Sequence, residues 1–217
     1  MPIICRLSLA GLLGSTALGQ PAAAAVGATT QKTVVFLGDS LSAGTGVKPQ
    51  EAFPALVQER IRARRLPFEV VNAGVGGETT AGGLRRLDWL LQRRIDVLVL
   101  ELGGNDGLRG LPVRNLKANL QAMIDKAKAK YPEVKIVIAG MQMPPNAGQP
   151  YADEFREAFY EVARENNTIM IPFLLEGVGG SRELNQPDLI HPNPTGHRVV
   201  ADVVWKTLEP LLVGMDT

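Results

Sequence analysis

Apolar runs of strand length alternate along this chain with longer stretches at helical spacing. Residues 33–37, 68–71, 95–102, 135–139 and 168–171 read as buried strands, because Val, Ile and Leu crowd them with few polar interruptions. Residues 51–65, 79–93, 113–131, 153–165 and 195–212 instead show the helical period. In the third of these, Leu116, Leu120, Met123, Ile124 and Ala127 fall on one stripe, while Lys117, Asp125, Lys126 and Lys128 face away. Strands interleaved with helices predict an α/β fold: a single three-layer α/β/α domain around a five-stranded parallel sheet. No internal repeat, heptad run or low-complexity segment interrupts that pattern.

The first 25 residues follow a different rule. Arg6 makes a short basic start, Leu7 to Gly19 an apolar stretch, and Ala22-Ala23-Ala24-Ala25 a small-residue exit. This is the layout of a secretory signal, with cleavage expected just after Ala25. The apolar stretch is too short and too diluted by Gly, Ser and Thr to span a bilayer. An uncleaved anchor or an unusual cytoplasmic N-terminus are the competing readings. Cys5, the one cysteine, would leave with the signal. No small-residue pair precedes it as a lipoprotein signal requires. The expectation is a cysteine-free mature protein, periplasmic or secreted, without an integral membrane span.

Composition narrows the function classes. The chain has 217 residues, 45% of them hydrophobic and 21% charged, which suits one globular domain with a sizeable core. A net charge of +1 provides no global field for nucleic acid or an anionic membrane. Arginines cluster at positions 60–65, 85–86 and 93–94. They read as solvated helix faces and helix C-termini, with a docking surface as the alternative. There is no CxxC and no histidine pair at ligand spacing, so no metal is expected. Gly74-Val75-Gly76-Gly77 lacks the rest of a phosphate-binding fingerprint.

The chemistry-bearing residues fall in the breaks between elements. Only two histidines occur, and His191 lies three residues after Asp188, with Pro187 and Pro192 bracketing the pair. Upstream, Gly38-Asp39-Ser40-Leu41 follows the first strand. Asn72-Ala73-Gly74-Val75-Gly76-Gly77 follows the second, and Gly103-Gly104-Asn105-Asp106 the third. Ligand sites of open α/β sheets lie beyond the C-terminal ends of the strands, so these three breaks converge on one rim. Serine early with Asp and His late is one of the orders a Ser-His-Asp triad takes. Each residue also has a plainer reading: Ser40 as a helix cap, Gly77 as a tight turn and Asn105 as a turn asparagine. Asp39 reads as a cap, Asp106 as a turn or capping residue, and His197 as exposed or packing.

These four blocks, in this order, resemble the SGNH or GDSL-type hydrolase family. They are most similar to its bacterial periplasmic group of multifunctional acyl-CoA thioesterases, lysophospholipases and arylesterases. The run from Glu101 through Asn105 to Gly110 looks like that group's third block throughout. The resemblance spans residues 32–212 and implies a flavodoxin-like hydrolase domain over them. It implies Ser40 as nucleophile, His191 as base and Asp188 as the acid that orients it. The Ser40 and Gly77 amides and the Asn105 side chain would form the oxyanion hole. It further implies no cofactor and a small-molecule acyl ester or thioester as substrate. In residues 141–151, Met143, Pro144, Pro145 and Tyr151 would form an adaptable apolar wall; a plain surface connection is the alternative. Carbohydrate O-deacetylation is the rival activity, and a non-catalytic binding module the rival from another class. Nothing in the sequence assigns an oligomeric state.

Overall fold

The structure, a computed structural model, describes residues 31–144 and 147–216. The signal segment 1–25 and Pro145 lie outside the described residues. Among the described residues, twelve strands and α-helices follow one another: β1 (Lys32–Gly38), α1 (Ser40–Ala43), α2 (Phe53–Ala63), β2 (Phe68–Gly74), α3 (Thr80–Leu90) and β3 (Val97–Glu101). Then come α4 (Gly104–Leu108), α5 (Val113–Lys130), β4 (Lys135–Ala139), α6 (Gln149–Asn166), β5 (Ile169–Ile171) and α7 (Pro194–Asp216).

The five strands form one parallel sheet in the order β2-β1-β3-β4-β5. The chain steps from β1 to one side, then crosses back over β1 to build the rest of the sheet. Crossovers of one hand therefore put α2 on one face and α3, α5 and α6 on the other. Accordingly α2 packs with α7, while α3 packs with α5 and α5 with α6. The central strands are buried through most of their length, and Val97 to Leu100 of β3 have no solvent exposure. Phe36 meets Phe53 edge-on at 5.5 Å on the α2 side, and Phe155 meets Phe159 at 5.3 Å on α6.

The expected elements are all present, with boundary differences that have physical causes. β2 runs three residues beyond its apolar run, because Asn72, Ala73 and Gly74 pair with Phe36, Leu37 and Gly38 through the backbone alone. β3 starts at Val97; the preceding Asp96 accepts the Thr33 N–H at 2.9 Å and pairs with Arg94. α6 begins at Gln149, with Pro150 in a first turn that needs no N–H there. That places Tyr151 on a helix rather than in the preceding loop. α1 and α4, of four and five residues, are too short to display a period.

The first arginine cluster ties α2 to α7, while Arg86 holds the turn before α3. Arg60 pairs with Asp202, Arg64 with Glu209 and Arg86 with Glu78. Among the described residues no helix is long and apolar enough to cross a membrane.

Candidate active site

The strand order decides the layout of the site. β1 lies between β2 and β3, so the loop carrying Ser40 is flanked by the loops carrying Gly77 and Asn105. The order also reverses at β1, which opens the crevice where open α/β sheets bind ligands.

At the end of β1, Asp39 caps α1, its Oδ1 accepting the Leu41 N–H at 3.0 Å. With that job taken, Ser40 is left free. Its Oγ lies 2.9 Å from His191 Nε2, although the two are 151 residues apart. His191 Nδ1 lies 2.6 Å from Asp188 Oδ2. The other Asp188 oxygen accepts the Ile190 and His191 N–H groups at 2.9 and 3.0 Å. The bond from His191, then those backbone bonds, hold the Asp188 carboxyl down at about 2. An ionised carboxylate accepts only, so the Nδ1 hydrogen points to Asp188 and Nε2 offers its lone pair to the Ser40 hydroxyl.

The loop is shaped for this pairing. Leu189 takes the left-handed conformation at φ 60°, and Asn185 bridges Pro192 in antiparallel fashion. The Gln186 N–H donates to the His191 carbonyl at 2.8 Å.

The residues expected to supply oxyanion donors stand on either side of Ser40. Gly77 sits in the left-handed region at φ 74°, open to glycine without strain. Its carbonyl accepts from Arg109 Nη2 at 2.7 Å. Among the described residues, no backbone carbonyl engages the Ser40 or Gly77 amide. Asn105 donates one Nδ2 hydrogen to Asp39 Oδ2 at 3.0 Å, which leaves its second for a ligand.

Two features of this floor were not legible as functional. Asp39 caps α1 and also orients Asn105; burial raises its carboxyl to about 6, opposed by the Leu41 and Asn105 hydrogen bonds. Beneath it, the buried Glu101 Oε2 accepts from Ser42 Oγ at 2.6 Å, Ser42 N at 3.1 Å and Asp39 N at 3.3 Å. Burial, then the neighbouring Asp39, push the Glu101 carboxyl well above its ordinary range. Both causes act against the charged form of Glu101. Gly38 is the consequence: a Cβ there would sit 2.2 Å from Ser42 Oγ and 2.5 Å from Glu101 Oε2. A carboxylate ending an apolar strand was the available signal.

The remaining candidates separate cleanly. His197 is 1% exposed, stacks against Phe53, and accepts the Phe53 N–H at Nδ1 over 3.2 Å. Burial lowers its pKa to about 4. It packs, and is not at the site. Asp106 caps α3 from outside, accepting Thr80 N at 2.8 Å and Thr80 Oγ1 at 2.5 Å.

Beside the His191 loop lies a cavity of about 310 Å³, bounded by Met141, Met143, Pro144, Phe173, Leu175 and Ile190 among others. Met143 and Pro144 line it. Tyr151 lines a neighbouring cavity of about 370 Å³ instead, its hydroxyl donating to the Leu111 carbonyl at 2.9 Å. Among the described residues no cluster of three or more His, Cys, Asp or Glu is placed to hold a metal ion.

Fold and site together define a serine hydrolase built on a parallel α/β/α sandwich. The chain belongs to the GDSL-like lipase/acylhydrolase family, whose model matches residues 36–199, and it is an ester hydrolase. It is 41% identical over 207 residues to the esterase TesA of Pseudomonas aeruginosa, covering 95% of this chain and 98% of that one. It is 35% identical over 186 residues to thioesterase 1/protease 1/lysophospholipase L1 of Escherichia coli K12, covering 85% and 87%. Among solved structures, the psychrotrophic esterase EstA from Pseudoalteromonas sp., inhibited by monoethylphosphonate, matches with a TM-score of 0.79 and 33% identity. That match covers 83% of this chain and 98% of that one.

Proposed function

We propose that Ser40, His191 and Asp188 carry out hydrolysis of acyl esters and thioesters through an acyl-enzyme on Ser40. The carrying observation is the unbroken chain from Ser40 Oγ to His191 Nε2 at 2.9 Å and from His191 Nδ1 to Asp188 at 2.6 Å. Ser40 Oγ attacks the acyl carbonyl as its proton passes to His191 Nε2, which overcomes the weak nucleophilicity of a free hydroxyl. The oxyanion that forms is held by the Ser40 and Gly77 amides and the second Asn105 Nδ2 hydrogen, preorganised donors worth about 3–4 kcal/mol each. The carbon–oxygen or carbon–sulfur bond then breaks, and His191 returns its proton to the leaving group. Water repeats the attack on the acyl-enzyme: His191 takes its proton, the acid leaves and Ser40 regains its hydrogen.

For substrate class, the reading is linear acyl chains, bound in the cavity walled by Met143, Pro144, Phe173 and Ile190. Methionines and prolines suit a flexible hydrocarbon. The thioesterase and lysophospholipase names borne by the E. coli relative support the same range. A sugar acetyl ester leaves most of that cavity unused, which disfavours carbohydrate O-deacetylation.

The proposal extends to export: residues 1–25 are removed and the hydrolase domain, 32–212, works in the periplasm or outside the cell. The signal-like layout of residues 1–25 supports it.

The test is a panel of aryl esters, acyl-CoA thioesters, lysophospholipids and acetylated polysaccharides, run with the wild-type and Ser40→Ala proteins. Turnover of the acyl esters that vanishes in a folded Ser40→Ala protein is expected. Comparable turnover by that variant removes the nucleophile assignment, and faster release of acetate from polysaccharide overturns the substrate class. Mass spectrometry of the exported protein reads the cleavage site.

A further inference from the structure

We propose that Gln186 is a positioning residue that sets the Ser40–His191 distance by tying the acid–base loop to the nucleophile loop; this rests on the triad reading above. Its Nε2 donates to the Thr45 carbonyl at 2.6 Å and to the Pro192 carbonyl at 3.1 Å. The Thr45 N–H in turn donates to the Ser40 carbonyl at 3.0 Å, and the Gln186 N–H donates to the His191 carbonyl at 2.8 Å. A closed circuit results, running from Ser40 to Thr45, to Gln186, to His191 and back through Nε2 to Ser40 Oγ.

The rest of the circuit's surroundings sharpen its role. The other side-chain anchors of this loop stay within its own stretch of chain: Asn185 Nδ2 donates to the Val178 and Ser181 carbonyls, and Asn193 Nδ2 to the Glu183 carbonyl. Among the described residues, the Gln186–Thr45 bond is the one side-chain hydrogen bond from 186–192 to 40–47 besides the Ser40–His191 pair itself. The opposing surface is built around the carboxamide. Gly46 lies at φ 79°, and a Cβ there would fall 2.0 Å from Gln186 Oε1.

Gln186 is half-buried and Thr45 exposed, so the bond adds little to global stability, about 1 kcal/mol. Its value lies in geometry. A nucleophile and base displaced by about 1 Å lose on the order of 100-fold in rate. Removing the tether therefore acts first on the chemical step, through the Ser40–His191 distance on which proton transfer depends.

The experiment compares Gln186→Met, which keeps bulk without a donor, and Gln186→Glu, which keeps length but presents only acceptors to two carbonyls. Each is assayed with an aryl ester well below its melting midpoint, alongside Ser40→Ala. Expected is a fall in kcat of about 10- to 100-fold with KM within about twofold. The melting midpoint should move by no more than about 2–4 °C. Gly46→Ala, which would displace the carboxamide, should lower kcat likewise, and combining it with Gln186→Met should add nothing further, as for two changes to one link. A kcat within about twofold of wild type in either folded Gln186 variant, or a raised KM at unchanged kcat, overturns the tether. If Ser40→Ala is inactive at the same time, the triad stands without it. An active Ser40→Ala protein would bring down both.

Discussion

With one of two histidines packed in the core, pH becomes a sharp probe of this fold. His197 is held neutral: burial lowers its pKa from 6.5 to about 4, and its Nδ1 accepts the Phe53 N–H. The unfolded chain takes up that proton near its ordinary pKa, so it binds more protons than the folded chain between those two values. Stability contributed by neutral His197 is therefore complete above about pH 6.5 and lost as pH falls through about 4. At about 1.4 kcal/mol per pH unit the full loss is about 3 kcal/mol, and about 2 kcal/mol if the ring is partly reached by water.

Asp39 works in the opposite direction in the same range. Its raised carboxyl favours the folded state as pH falls from about 6 towards 3.8. Wild-type stability alone therefore mixes the two effects. His197→Asn separates them, since an Asn oxygen can accept the Phe53 N–H and does not titrate. Urea unfolding followed by circular dichroism at half-unit steps from pH 7.5 to 4 gives both curves. The wild-type minus variant difference should be level above pH 6.5 and drop by about 2–3 kcal/mol by pH 4. A difference flat to within about 0.5 kcal/mol would refute the neutral, buried histidine.

Other expected outcomes follow from the site. His191→Ala should lose nearly all turnover and His197→Asn little, both read in the aryl ester assay; the reverse pattern would break the triad. Asn105→Ala should cut kcat by about 10²–10³ with little change in KM, since the donor matters most once the oxyanion forms. A pure KM defect would make it a binding residue. Glu101→Gln should keep stability within about 1 kcal/mol, because the amide oxygen replaces the acceptor and the site already favours a neutral group. Glu101→Ala should lose about 2–3 kcal/mol in urea unfolding, as buried Ser42 donors lose their acceptor.

The chain's own order of residues determined a large part of this protein. Hydrophobic period separates strands from helices because a strand repeats every two residues and a helix every 3.6. The five strands and five longer helices were therefore readable. The pairing of Asp188 with His191 was readable for a related reason. Asp188 and His191 share one turn, and three residues of chain suffice to bring carboxylate and imidazole together. Ser40, Gly77 and Asn105 were readable because each breaks the pattern just after a strand, where a parallel sheet gathers its loops.

What the tertiary structure alone decided is every relation between distant segments. Asn72 to Gly74 are strand only because β1 offers them partners, and no local propensity marks that. Tyr151 belongs to α6 because Pro150 fits a first turn, which its own loop-like sequence conceals. The same holds for the roles of Asp39, Glu101, Gln186 and His197. Asp39 reaches Asn105 across 66 positions, Glu101 reaches Ser42 across 59, and Gln186 reaches Thr45 across 141. His197 meets the Phe53 amide across 144. The physical reason is the same in each case: period and turn chemistry act over a few residues, whereas hydrogen bonds across a sheet's rim and burial between layers exist only once the strand order has brought those residues together.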